Sequence, residues 1–235
     1  AISGGQFDNV ICSRCDAAAA LPTGSGAAFT AFIREFDAAL KNEYAVTDPG
    51  VTLTCAAAEA AKAVPAERTA TLVQALAAMP QGVEAMDTDF PGLVQTSLNM
   101  GVVKLNGDGL HISFSIRSSI ASRKLMLAQR VRAVAALAGG TVAERGVYPG
   151  WQYKRESKFR DTLLAAYKDL TGKDGVVEAT HGGLECGLLM EKIPGLDAVS
   201  MGPELHDVHS VRERLNVPST ERTYELVCEL LRRSC

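Results

Sequence analysis

Val94-Gln95-Thr96-Ser97-Leu98-Asn99-Met100 leads, through the turn Asn106-Gly107-Asp108-Gly109, into Leu110-His111-Ile112-Ser113-Phe114-Ser115-Ile116-Arg117. Val94, Thr96, Leu98 and Met100 share one parity. After the turn, Leu110, Ile112, Phe114 and Ile116 alternate with His111, Ser113, Ser115 and Arg117. Period-two alternation on both sides of a Gly-rich turn predicts an antiparallel β-hairpin with one buried face. Arg117 closes the polar parity, so it can face a cleft without disturbing the core.

Helical patterns flank the hairpin. Phe29, Phe32, Ile33, Phe36 and Leu40 form one apolar stripe after the turn Thr23-Gly24-Ser25-Gly26. Pro65-Ala66-Glu67 starts a second helix, and a third, from about Ser122 to Leu137, stops at Gly139-Gly140. Short extended segments are expected at 1–4 and 14–21, and a strand on Val51, Leu53 and Cys55. Composition shifts at Val147-Tyr148-Pro149-Gly150-Trp151. Beyond it, Phe159, Leu163, Ala166 and Leu170 lie in helical register, and short strands are expected at 175–179 and 196–200. A last helix is expected to carry Tyr224, Val227, Cys228 and Leu231 on one face, with Thr220 as its N-cap. The expected fold class is α/β: an α+β domain at 1–146, with an antiparallel sheet and helices, then an alternating strand–helix segment at 147–235.

Composition narrows the function classes. The 235 residues carry 24 basic and 27 acidic side chains, a net charge of −3, so a dedicated nucleic-acid binder is not expected. No apolar run approaches the ~18 residues of a membrane helix, and no signal peptide is recognisable. The opening Ala1-Ile2-Ser3-Gly4-Gly5 lacks an initiator Met and suggests a processed chain or a fragment. Six irregularly spaced cysteines, Cys12, Cys15, Cys55, Cys186, Cys228 and Cys235, do not make a disulfide framework. Cys12 and Cys15 form a C-x-x-C without the second pair a zinc ribbon needs, so reduced thiols in a cytoplasmic protein are expected.

The densest set of metal-ligand side chains is Glu204-Leu205-His206-Asp207-Val208-His209-Ser210, followed by Glu213. His181 and Glu185 lie in a Gly-rich stretch, where ligands gather in α/β sheets. Imidazole and carboxylate suit zinc, but spacing alone leaves each of these residues open between a ligand and a structural group.

Several separated motifs then point one way. Thr180-His181-Gly182-Gly183-Leu184-Glu185-Cys186-Gly187, Ser200-Met201-Gly202-Pro203 and His209-Ser210-x-x-Glu213 resemble aminoacyl-histidine dipeptidase, the Xaa-His, carnosine-cleaving branch of the dinuclear zinc exopeptidases. Tyr148-Pro149-Gly150-Trp151, Gly4-Gly5-x-x-x-Asn9, Ser97-Leu98-Asn99-x-Gly101 and Ile116-Arg117-Ser118 are similar to motifs of the same branch, in the same order. Ser13 and Val211-Arg212 depart from its pattern, at positions with no assigned role.

The resemblance implies a lid and dimerisation domain at 1–146, without its first strand and helix, and a C-terminal segment of the catalytic domain at 147–235. It implies a dipeptide substrate, a homodimer through the lid, and two zinc ions per full-length subunit whose bridging water attacks the peptide carbonyl. Only one metal ligand, His209, falls within this chain. The other ligands and the general base belong to a preceding part, so the chain alone is expected to be inactive. Asn9, Arg117 and Gly183 match substrate-binding positions. Arg117 suits a terminal carboxylate, because a guanidinium offers a planar two-donor fork. Gly183 is expected to let the backbone approach the ligand, having no Cβ. His181 and Glu185 are open between pocket-lining and supporting roles, and His206 reads as a neighbour of the site. The alternative is a non-catalytic binding or assembly module of that family, or a related amidohydrolase or aminoacylase.

Overall fold

The computed structural model describes residues 1–59, 62–107 and 109–234; Asp108 of the expected turn and Cys235 lie outside them. The chain divides into two compact units: Ala1–Ala78 with Asn99–Ser115, and Met79–Leu98 with Ile116–Cys235.

In the first unit, β1 (Ile2–Gly4) pairs antiparallel with β2 (Cys15–Ala17), Ile2 opposite Ala17. β1 also pairs with the far end of β4 (Val94–Asn106), Ser3 opposite Lys104. α1 (Gly26–Glu43) carries the expected Phe stripe, with Phe32 and Phe36 stacked at 6.0 Å, but no residue of this helix is buried. α2 (Ala66–Ala78) starts behind Pro65 as the sequence suggests. The strand expected at 51–55 does not form. The Leu53 amide donates instead to Asp37 Oδ1 of α1 at 2.6 Å, so this extended segment satisfies its backbone with a side chain rather than a ladder.

In the second unit, β3 (Gly82–Met86), which the sequence pattern did not announce, pairs antiparallel with the start of β4, Gly82 opposite Leu98, through an irregular register. β4 pairs with β5 (Gly109–Ser118), the expected hairpin. Thr96 and Leu98 are fully buried, as their shared parity requires. α3 (Ala121–Leu137) buries Leu127 and Val131. α4 (Lys158–Thr171) is capped at both ends: Ser157 Oγ accepts from the Arg160 amide, and Gly172 closes the helix at φ 69°. Asp197 accepts from Ser157 Oγ at 2.7 Å and from the Phe159 amide at 3.2 Å. α5 (Glu185–Lys192), the short hairpin β6 (Leu205–His206) and β7 (Arg214–Leu215), and α6 (Val217–Ser234) complete the unit.

Further expectations fail here for physical reasons. Residues 175–179 and 196–200 form no strand, because a strand exists only with a hydrogen-bonded neighbour and none among the described residues pairs with them. In α6 the face toward the core is Ser219, Leu226 and Leu230, not Tyr224, Val227, Cys228 and Leu231. Leu230 packs with Leu163 and Ala166 of α4, while Tyr224 and Leu231 are exposed. Helical periodicity gives a stripe but not which stripe the neighbouring helix covers. α6 also begins before Thr220, its first turn held by Asn216, whose Oδ1 accepts from the Ser219 amide.

The accessible surface is 17045 Å². A folded monomer of 24.9 kDa exposes about 10,000 Å², and two separate domains of half that mass would expose about 12,000 Å². Much apolar surface is therefore uncovered, including Phe32, Val46 and Val211.

The α4–α6 contact sets a contrast between neighbours. Leu230→Ala should destabilise the chain by about 2–4 kcal/mol and Leu231→Ala by less than about 1 kcal/mol, read by urea unfolding. Equal losses would return the core face of α6 to the Tyr224–Leu231 stripe.

Candidate substrate-binding site

Two contacts set the register where β4 meets the end of β5. Thr96 Oγ1 lies 2.8 Å from Ser118 Oγ, and the Ser119 amide donates to the Gln95 carbonyl at 3.2 Å. Ser118 Oγ donates its proton to the Ile120 carbonyl and accepts from the Ile120 amide. Thr96 is therefore the donor in the buried pair. Both contacts belong to one antiparallel register, which sets Ser97 opposite Arg117. Arg117 is exposed, as its polar parity predicts, and among the described residues it pairs with no carboxylate.

His181 comes to this corner from the turn before α5. Its Nε2 lies 2.8 Å from Ser97 Oγ, at hydrogen-bond distance. Burial, and then the charge of Arg117, hold its pKa below the ordinary histidine value. The structure thus brings His181 and Arg117 together and makes the histidine a neutral bridge.

Gly183 is exposed two residues further on, and its lack of a Cβ also matters within this chain. A Cβ there would lie 2.6 Å from the Tyr148 ring, so the glycine is required by a packed aromatic side chain of this chain. Tyr148 is held in turn by Lys124 of α3, whose Nζ donates to its carbonyl. Gly150 lies against the Ser118 and Ser119 carbonyls, where any side chain would collide. Tyr148 and Gly150 were legible as motif letters but not as packing partners. Glu185 sits in the first turn of α5, where a carboxylate is favoured by the helix N-terminus.

Asn9 belongs to the first unit, on an exposed loop. Asn99 Nδ2 holds that loop, donating to the Asp8 carbonyl at 2.7 Å and the Val10 carbonyl at 2.9 Å. The absent Cβ of Gly101 makes room for the Phe7 and Asp8 carbonyls. The spacing Asn99-x-Gly101 is thus the frame that presents Asn9, a role the sequence reading did not assign.

His209 stands in the loop between β6 and β7. Both Asp207 and His209 adopt left-handed backbone, at φ 52° and 65°. Internal bonds fix them: the His209 amide donates to Glu213 Oε2 at 3.0 Å, and Arg214 donates to Asp207 Oδ2 at 3.0 Å. His206 pairs across the hairpin with Arg214. Among the described residues no three His, Cys, Asp or Glu side chains are grouped to hold a metal ion. These residues alone therefore do not build a metal centre, which needs three or four protein ligands. The C-x-x-C pair is free, with burial the first cause that raises the Cys15 thiol pKa, against a nucleophilic role. No described helix is long and apolar enough to cross a membrane.

Cytosol non-specific dipeptidase of Escherichia coli (strain K12) is 31% identical over 231 residues, which are 98% of this chain and 48% of that protein. The crystal structure of aminoacylhistidine dipeptidase from Vibrio alginolyticus superposes with a TM-score of 0.89 at 28% identity, covering 99% of this chain and 48% of its own. This chain is related to the aminoacylhistidine dipeptidases. It spans about half the length of the dipeptidases it matches. Aminopeptidase PepT from Bacillus cereus shares the fold over 69% of the chain and 44% of its own, with a TM-score of 0.52 and 19% identity. No family model matches the chain. The mixed helices and antiparallel sheet agree with the α/β class expected from sequence.

The electrostatics of the dipeptidase-like corner give a signed prediction. Arg117→Gln should raise the His181 titration midpoint toward the ordinary 6.5, and added salt should raise it in the unaltered chain, both followed by NMR of the ring. Because unfolded His181 binds a proton at higher pH than folded His181, its contribution to stability should fall as pH drops through about 6.5. A midpoint unmoved by Arg117→Gln would separate the two side chains electrostatically.

Proposed function

We propose that this chain is the C-terminal part of a zinc-dependent dipeptidase that hydrolyses Xaa-His dipeptides such as carnosine. The observation that carries the reading is Arg117: an exposed guanidinium, unpaired with any described carboxylate, at the end of β5 beside a neutral histidine. That is a place for a terminal carboxylate, which binds the planar fork through two charge-assisted hydrogen bonds. In this reading Asn9 offers its amide to the substrate, and the Gly183 backbone lines the same substrate. His209 contributes one imidazole to a two-zinc centre whose remaining ligands lie outside these 235 residues. Residues 1–146 act as a lid that carries the homodimer contact, residues 147–235 belong to the catalytic domain, and the enzyme works in the cytoplasm. The large uncovered apolar surface supports a chain that functions against further polypeptide.

The purified 235-residue chain should show no zinc-dependent cleavage of carnosine; turnover by it would overturn the division of the site. In the complete enzyme, Arg117→Ala should lower kcat/KM for dipeptides by at least ~10²-fold with little change in Tm, and Arg117→Lys should restore only part. Near-normal turnover, or loss of the fold, would make Arg117 a structural residue. His209→Ala should lower zinc content and activity together; unchanged zinc stoichiometry would remove His209 from the ligands.

A further inference from the structure

We propose that His181 is a positioning residue for the substrate carboxylate: hydrogen-bonded to Ser97 of β4, it holds the turn 180–183, and with it the Gly183 backbone, beside Arg117. The proposal rests on the dipeptidase reading for the identity of the bound group; the bridge itself rests on geometry.

The Nε2 nitrogen is engaged with the Ser97 hydroxyl at 2.8 Å, and burial keeps the ring neutral. With that nitrogen occupied, the contribution of the ring passes through what it holds.

What it holds has few other restraints. The turn 180–183 makes no ladder bonds, and inside it the Gly182 amide donates to Thr180 Oγ1 at 3.2 Å. Among the described residues two anchors remain. One is polar, His181 on Ser97; the other is apolar, the Tyr148 ring over Gly183. Ser97 is set opposite Arg117 by the β4–β5 register, so the polar anchor ties the turn to the strand position that faces the guanidinium. Without it the turn pivots on the Tyr148 contact and carries Gly183 away from Arg117. A displacement of about 1 Å at a substrate-positioning group can cost ~10²-fold.

The test has two arms. The His181 ring is followed by ¹⁵N NMR on the 235-residue chain. Ser97→Ala should shift the Nε2 signal and the Gly183 amide, and Ser97→Thr should shift them less. An Nε2 signal or a Gly183 amide indifferent to Ser97→Ala overturns the bridge. In the complete enzyme, His181→Ala and Ser97→Ala should each raise KM for dipeptides ~10-fold or more, with kcat within ~3-fold and Ser97→Thr near the original value. A partly unfolded preparation would lower apparent kcat and leave KM alone. Unchanged KM in an active enzyme overturns the role of His181 only. A complete enzyme without any dipeptidase activity overturns the dipeptidase reading, and the substrate role of the turn with it.

Discussion

The hydrogen bond from Thr96 to Ser118 is the constraint on which the candidate site depends. Thr96 is fully buried and Ser118 nearly so, and Ser118 Oγ spends its remaining capacity on the backbone of Ile120. A satisfied buried pair of this kind contributes only about 1 kcal/mol net, but leaving one partner alone costs about 1–3 kcal/mol. A slip of one residue would orphan both hydroxyls and turn every side chain of the strand to the opposite face. The pair is therefore worth more as a specification of register than as stabilisation.

From that register the corner follows by contact. Ser97 faces Arg117, His181 closes on Ser97, and the turn behind His181 is trapped under Tyr148. Tyr148 and Gly150 belong to the segment that leaves α3 and crosses the end of β5, where Gly150 lies against the Ser118 and Ser119 carbonyls. The residue that fixes the register therefore also marks where the next segment must pass. Gly150 and Gly183 each make room for a neighbour rather than for flexibility.

The His209 loop is built on another principle. Its left-handed residues are held by bonds within residues 207–214, among them the Glu213 carboxylate on the His209 amide. The Arg214–Asp207 pair is exposed, and such pairs contribute little by themselves. The loop is a self-contained presentation of one imidazole.

Sequence by itself determined the elements whose signals are local. The hairpin was legible because alternation over ten residues around a Gly-rich turn has few other solutions, and α1 to α4 because their stripes, Pro65 and the Gly139-Gly140 stop act within one or two turns of chain. The motifs pointed to the aminoacylhistidine dipeptidases and, through that resemblance, to Asn9, Arg117, Gly183 and His209 as candidates. Tertiary structure alone decided what covers what. It chose Leu230 over Leu231 as the core face of α6, since both faces of that helix carry apolar residues and only α4 distinguishes them. It left 175–179 and 196–200 without a ladder, because strand formation requires a partner far away in sequence. It gave Asn99, Tyr148 and Ser97 their roles, because each acts on a residue 35 or more positions away, and no local pattern encodes such a contact.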